Sequence, residues 1–328
     1  MVPLMLLHTT AASPPPPPLS LPPIFGPSMV LQRDIPVRLW GWCACTNVTV
    51  SFGGTMLPAA RVVDSQWEVT LPPTPAAPAP VPIIISANDA ASSQLNLTDV
   101  LVGDVFICAG QSNMALPVDA TYNMQAELRD ASTFGEKLRI MRVRTSWGAT
   151  TPMGWTRDNS AARVSIGWSR VASATVHDFS GMCYYFGKQL RQARPDIPLG
   201  LVQTAFSGTA LGPWVPSDTY AVCSKAAEAM APLADALQLD PSDVHNPGYE
   251  YFMQDLDQLQ ANTPDNAFAP CPSDSKKPKP QGCGSNTCPG GNQGSCPAGI
   301  LWNAMVAPLL SLPVRGWIWY QVRSLPTG

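Results

Sequence analysis

The stretch Val100-Leu101-Val102-Gly103-Asp104-Val105-Phe106-Ile107-Cys108-Ala109-Gly110-Gln111-Ser112-Asn113-Met114 constrains this chain more than any other. A buried-strand pattern runs straight into Gly-Gln-Ser-Asn. That order predicts a serine hydroxyl on a tight turn at the carboxyl end of a strand, where open α/β sheets keep their active sites. The small residue before the turn lets the backbone bend sharply and exposes Ser112 Oγ. A plain structural alternative is a turn serine that caps a helix.

Composition narrows the classes. At 328 residues the chain can hold one large domain or a medium one with a small one. Charged residues make up 13%, well under the roughly 25% usual for globular domains. Lys and Arg form no stripe or cluster, which argues against nucleic-acid binding. No apolar run approaches the ~18 residues needed to span a bilayer. Nine cysteines, with the sequons Asn47-Val48-Thr49 and Asn96-Leu97-Thr98, point to the secretory pathway, in a secreted or lysosome-like compartment. Oligomeric state is not legible.

Three regions follow one another. Residues 1–23, with the run Pro14 to Pro18, read as a leader or disordered tail, because consecutive prolines form neither helix nor central strand. Residues 24–98 read as a small β-sandwich-like domain. Val37-Arg38-Leu39-Trp40, Val48-Thr49-Val50-Ser51-Phe52, Trp67-Glu68-Val69-Thr70-Leu71 and Ile83-Ile84-Ile85 are short strands between Gly and Pro turns. The region reads as a plain structural or carbohydrate-contacting module with no chemistry of its own, since function has to be argued from a site.

From residue 99 to 328, strands and helices alternate, which predicts a parallel sheet with crossovers. The strands are the one before Ser112, then Leu138 to Val143, Leu199 to Thr204 and Gly316 to Gln321. Asp178 is the expected N-cap of a helix through Arg194, with Phe179, Met182, Cys183, Phe186 and Leu190 on its apolar face. A further helix is expected over Leu301 to Leu310. The insert 264–299 is rich in Pro and Gly and carries Cys271, Cys283, Cys288 and Cys296. It has no C-x2-C pair, so a disulfide-tied loop suits it better than a zinc site. Cys108 and Cys183 read as core residues rather than nucleophiles.

A serine esterase needs a nucleophile, a base for its proton and donors aimed at the developing oxyanion. If the sheet is parallel, the ends of three strands present Ser112, Ser207-Gly208 and whatever follows Gln321. Ser112 Oγ would attack the ester carbonyl, and the backbone N–H groups of Ser112 and Gly208 would receive the oxyanion. Gln111, Asn113 and Trp214 are candidate substrate contacts. Trp214 and Tyr122 can wall a sugar pocket, or simply sit in the core.

The segment Phe106 to Met114 resembles the nucleophile segment of the sialate O-acetylesterases, in the Ser-Gly-Asn-His (SGNH) hydrolase superfamily. Ser28 to Arg33, Val37 to Trp42, Trp67 to Pro73, Asp178 to Gly187, Gly200 to Gln203 with Ser207 to Thr209 and Trp214, Leu301 to Leu309 and Gly316 to Gln321 resemble further family segments in the same order. The resemblance implies a flavodoxin-like, three-layer SGNH hydrolase fold. It implies hydrolysis of O-acetyl esters of sialic acid or a related sugar, with Ser112 as nucleophile, Gly208 as oxyanion donor and no metal or organic cofactor. Family members continue after the Trp-Tyr-Gln strand with Gly-Glu-Ser-Asn, and here Gln321 is followed by Val322-Arg323-Ser324-Leu325. The expectation is therefore a hydrolase domain incomplete at its C-terminus and impaired in turnover. His177 and His245 are the candidate substitute bases, and His8 lies in the leader. A glycan-binding or inactive fragment and an acetylxylan-type esterase are the alternative readings.

Overall fold

The computed structural model describes residues 18–77, 79–89, 93–145, 151–155, 164–209, 211–216, 219 and 299–321. The expected insert, apart from residue 299, falls outside them, as do His8 and His245.

The first strands are β1 (Val30–Gln32), β2 (Val37–Trp42), β3 (Asn47–Phe52), β4 (Thr55–Met56), β5 (Ala60–Arg61), β6 (Gln66–Leu71), β7 (Ile83–Ala87) and β8 (Gln94–Leu97). β2 pairs antiparallel with β6. β3 pairs antiparallel with β4, β5 and β7, and β7 pairs with β8. Alternation sets their faces: in β6, Trp67, Val69 and Leu71 are buried while Gln66, Glu68 and Thr70 are exposed.

β9 (Leu101–Gly110) is buried over nearly its whole length. After it come β10 (Leu138–Val143), β11 (Val164–Arg170), β12 (Leu199–Ala205) and β13 (Gly316–Tyr320). With β1 these form one six-stranded sheet around β9, in which β1, β12 and β13 all run parallel to β9. β10 runs parallel to β12, and β11 runs antiparallel on the outer side of β10. The sheet is therefore mixed rather than purely parallel. The sequence hides β11 because its side chains are mostly half-buried or exposed, as suits an edge strand.

Successive residues of the central strands feed two different cores. Phe106, Cys108, Leu138, Ile140 and Leu201 face one side, against Phe179, Cys183 and Tyr184. Val105, Ile107, Met141 and Val202 face the other, with Leu309 and Leu312 and with Leu39, Val50 and Ile85 of the small sheets. The small sheets thus share one continuous core with the mixed sheet, and β1 crosses the expected boundary at residue 98. The tail boundary also moves. Leu19 is buried, and Ser20 exchanges two hydrogen bonds with Trp42, so the packed chain begins before residue 24.

The helices are α1 (Ser112–Ala115), α2 (Met124–Asp130), α3 (Ser173–Val176) and α4 (Gly181–Ala193). The expected cap of α4 is corrected: Ser180, not Asp178, is the N-cap, and its hydroxyl accepts from Cys183 N–H. Asp178 instead binds the Arg142 guanidinium at 2.7 Å, which holds its carboxyl below the usual range. Of the expected apolar face, Phe179 and Cys183 are buried and Phe186 and Leu190 pack against the same core, while Met182 is exposed and Tyr184 and Gly187 are buried in addition. The expected helix at 301–310 is a π turn over Trp302–Val306 followed by a 3-10 turn over Ala307–Ser311. Pro308 has no N–H with which to continue an α ladder. Cys108 and Cys183 are core residues, as expected, and are joined to each other, tying β9 to α4. A second disulfide joins Cys43 and Cys45.

Asp99, in the left-handed backbone region at φ 58°, pins the start of β9. It accepts from Ser28 Oγ at 2.8 Å, Arg139 Nη2 at 3.0 Å and Arg170 Nε at 2.9 Å. Burial by itself would push its carboxyl up. The hydrogen bonds from Arg170 and Ser28 and the charge of Arg139 outweigh that and hold it below the usual carboxylate range. The stabilisation is therefore complete above the ordinary carboxylate pKa of about 3.9 and is lost as pH falls through the lowered value. Arg139 is only 1% exposed and cannot turn to water. Asp99→Asn, which tolerates the backbone conformation, is expected to cost roughly 3 kcal/mol or more in urea unfolding at pH 7. It should also flatten the acid limb of stability against pH. Separately, removing the Cys108–Cys183 bond in a double Ser variant is expected to cost about 4 kcal/mol for a separation of 75 residues.

Candidate active site at three strand ends

Parallel pairing puts three carboxyl ends side by side. Gly110 lies opposite Ala205 of β12 on one side and Tyr320 of β13 on the other. Phe206 N–H donates to Gly110 O at 3.0 Å, and Gln111 N–H donates to Tyr320 O at 3.2 Å. The segments that leave these ends, Gln111 to Met114 and Phe206 to Thr209, therefore start from adjacent strands. The expected convergence of Ser112 and Gly208 segments holds at the level of backbone register.

Gly110 is the residue that permits this. Its φ is 136°, which L side chains rarely adopt, and a Cβ there would fall onto the Tyr320 carbonyl. The chain then turns into α1. Ser112 and Asn113 are exposed, and Met114 is buried beneath them. The first intrahelical bond is Ala115 N–H to Gln111 O at 2.8 Å, so the Ser112 N–H precedes the hydrogen-bonded ladder. The hydroxyl and the backbone donor of one residue thus share one solvent-facing turn.

The Ser207-Gly208-Thr209 turn lies at the end of β12. Gly208 has φ 74°, but a Cβ there would meet none of the described residues within 4 Å. Glycine is needed here for its conformation, and Ser207 and Gly208 are exposed among the described residues. Thr209 is held on several sides. Its hydroxyl donates to Phe206 O at 2.8 Å and accepts from Trp214 Nε1 at 2.9 Å, and its carbonyl accepts from Gln321 Nε2 at 2.8 Å.

The other candidate residues separate. Gln111 is buried, at the residue before α1. Trp214 is 3% exposed, with its indole spent on Thr209 and its ring edge-on to Trp319 at 5.4 Å. Its large ring area is used in packing, so the expected sugar wall is here a core residue. Tyr122 is 97% exposed, beside α2. His177 is exposed and follows α3, with its carbonyl accepting from Asp119 N–H. Among the described residues Ser112 makes no hydrogen bond to a histidine, and no group of three or more His, Cys, Asp or Glu side chains is placed to hold a metal ion. The sequence missed the roles of Tyr320 and Gln321 because both depend on partners distant in the chain.

A serine hydroxyl on a strand-to-helix turn, beside a glycine turn in a mixed α/β sheet, is an arrangement that can support acyl transfer through a serine nucleophile. The fold is similar to the crystal structure of a carbohydrate acetylesterase from Xanthomonas citri, with a TM-score of 0.62 at 23% identity, covering 93% of this chain and 51% of that one. Residues 102–237 match the family described as carbohydrate esterase, sialic acid-specific acetylesterase. Over 307 residues the chain is 25% identical to the sialate O-acetylesterase of Rattus norvegicus, covering 89% of this chain and 50% of that protein. The Homo sapiens sialate O-acetylesterase is 22% identical over 311 residues, or 90% of this chain and 47% of that protein. The resemblance read from the sequence is borne out, and the chain spans about half the length of the curated relatives it matches.

The two site glycines are expected to respond differently to alanine. Gly110→Ala combines a forbidden φ with a backbone collision and should cost roughly 2–4 kcal/mol. Gly208→Ala pays only for its conformation, about 1 kcal/mol. Chemical denaturation of both variants checks the ordering.

Proposed function

We propose that this chain acts as a carbohydrate O-acetylesterase, removing O-acetyl groups from sialic acid or a related sugar. The observation that carries the reading is the register Ala205–Gly110–Tyr320, which starts the Ser112 and Gly208 turns from neighbouring strand ends. The α/β part is read as a flavodoxin-like SGNH hydrolase domain over 99–328, supported by the two separate cores on the faces of the mixed sheet.

In this reading Ser112 Oγ attacks the acetyl carbonyl carbon and loses its proton to a base. The carbonyl oxygen becomes an oxyanion facing the N–H groups of Ser112 and Gly208. The sugar oxygen leaves with a proton, and water then hydrolyses the acetyl-serine to acetate and free Ser112. His245 is the first candidate for the base and His177 the second. Exposed Ser112, Asn113 and Gly208 leave the substrate room to approach. A secretory compartment is supported by the two disulfides and by Asn47 and Asn96, both exposed and both on the outward face of the β3–β7–β8 sheet.

The test is acetate release from O-acetylated sialic acid and from acetylated xylan by the purified chain. Release by the chain is expected to be slow, and Ser112→Ala is expected to lower it to the rate of uncatalysed hydrolysis. Equal release from the wild-type chain and the variant would sink the nucleophile assignment. Glycan binding without release would favour a binding protein, and release from xylan alone would move the substrate to wall polysaccharides.

A further inference from the structure

Four side chains close a ring around the end of β13. Trp214 Nε1 donates to Thr209 Oγ1 at 2.9 Å, and Gln321 Nε2 donates to the Thr209 carbonyl at 2.8 Å. Trp319 Nε1 donates to Gln321 Oε1 at 3.2 Å, and the Trp319 ring packs edge-on against Trp214 at 5.4 Å. The ring joins the residue after β13 to the turn after β12, although the two strands do not pair and β9 lies between them.

We propose that Gln321 is a positioning residue that buckles the Ser207–Gly208–Thr209 turn to the end of β13 and so holds the Gly208 N–H for the oxyanion. The inference rests on the reading of Ser112 and Gly208 given above. The chemistry of the ring fixes the residue type. The Thr209 carbonyl can only accept and the Trp319 indole can only donate, so the side chain between them must do both at once. An amide does. A carboxylate keeps the bond from Trp319 and loses the one to Thr209, and asparagine is one methylene too short to span the same gap. The turn needs such a tie. Gly208 sits at φ 74°, an added Cβ would meet no described atom within 4 Å, and a glycine has more backbone freedom to lose than any other residue.

The experiment uses the full chain, its Gln321→Ala and its Gln321→Glu variants. Mobility of individual backbone amides is followed by 15N relaxation, and acylation of Ser112 by 4-nitrophenyl acetate, from pH 3 to pH 8. At pH 7 both variants are expected to lower the order parameters of Gly208 and Thr209 from the rigid value of about 0.85 to about 0.6 or less, while the amides of β9 and β12 keep theirs. Below the ordinary glutamate pKa of about 4.3 the protonated side chain of Gln321→Glu can donate again, so its order at 208 and 209 should return, and that of Gln321→Ala should not. The acylation kcat at pH 7 should fall about 10- to 100-fold with little change in KM.

Unchanged order parameters at 208 and 209 in both variants would overturn the proposal. So would order lost evenly along β9, β12 and β13, since the ring would then support the sheet rather than the turn. Lost order with an unaltered acylation rate would overturn the positioning role. If the wild-type chain shows no acylation that depends on Ser112, the nucleophile reading falls, and the relaxation data alone still decide whether Gln321 holds the turn.

Discussion

The arrangement of the site depends on a side chain that cannot exist. β13 pairs with β9 up to Tyr320 opposite Gly110, and the Tyr320 carbonyl occupies the place a Cβ would take. Any other residue at 110 forces β13 outward or twists the turn back. Either movement breaks the bond from Gln111 N–H to Tyr320 O and changes the direction in which Ser112 leaves the strand. Because Ala205 pairs with Gly110 from the opposite side, the same position also sets where the Gly208 turn begins. One backbone constraint thereby fixes three strand ends, which scattered side-chain contacts would do less sharply.

What keeps β9 in that register is apolar burial far more than charge. Its residues alternate between two cores, so a slip of one residue would send Ile107 to the face of Cys108 and strand every neighbour on the wrong side. At ~25 cal/mol per Å² of apolar surface, each fully buried Ile or Val contributes on the order of 1.5–3 kcal/mol, whereas an exposed ion pair contributes under ~1 kcal/mol. The exposed pair Arg38–Glu68 belongs to the second kind. The Asp99 cluster differs because Arg139 is buried and has no alternative solvent. The Cys108–Cys183 bond adds a covalent tie on the α4 face, close beneath the Ser112 turn.

The sequence makes visible what local periodicity and turn chemistry encode. The strands at Leu138–Val143 and Leu199–Ala205 fall where their apolar runs place them, and β6 follows its alternation. The serine turn is legible because a small residue and polar residues follow a buried strand. Features that depend on distant partners are not. Asp178 looks like a cap until Arg142, on another strand, engages it, and Ser180, the true cap, differs from it only in position. Trp214 looks like a sugar wall until Thr209 and Trp319 enclose it. Only the folded chain shows β1, from before residue 98, beside β9. Among the site residues, Ser112 and Gly208 are readable from type and context, while the support beneath Gly208 is written in three separate segments.

Gly110 and Gly208 show two different reasons for glycine within one site. At Gly110 space is lacking, and the surrounding backbone enforces the conformation. At Gly208 space is plentiful, and the conformation has to be enforced from outside. An oxyanion donor lowers a barrier only if it already points at the place where charge will develop, because reorienting it during the reaction consumes the stabilisation it offers. An open turn satisfies access and works against orientation. Holding Thr209 by its hydroxyl and its carbonyl, one residue beyond the proposed donor, reconciles the two, because the restraint acts on the residue after Gly208 and not on Gly208 itself.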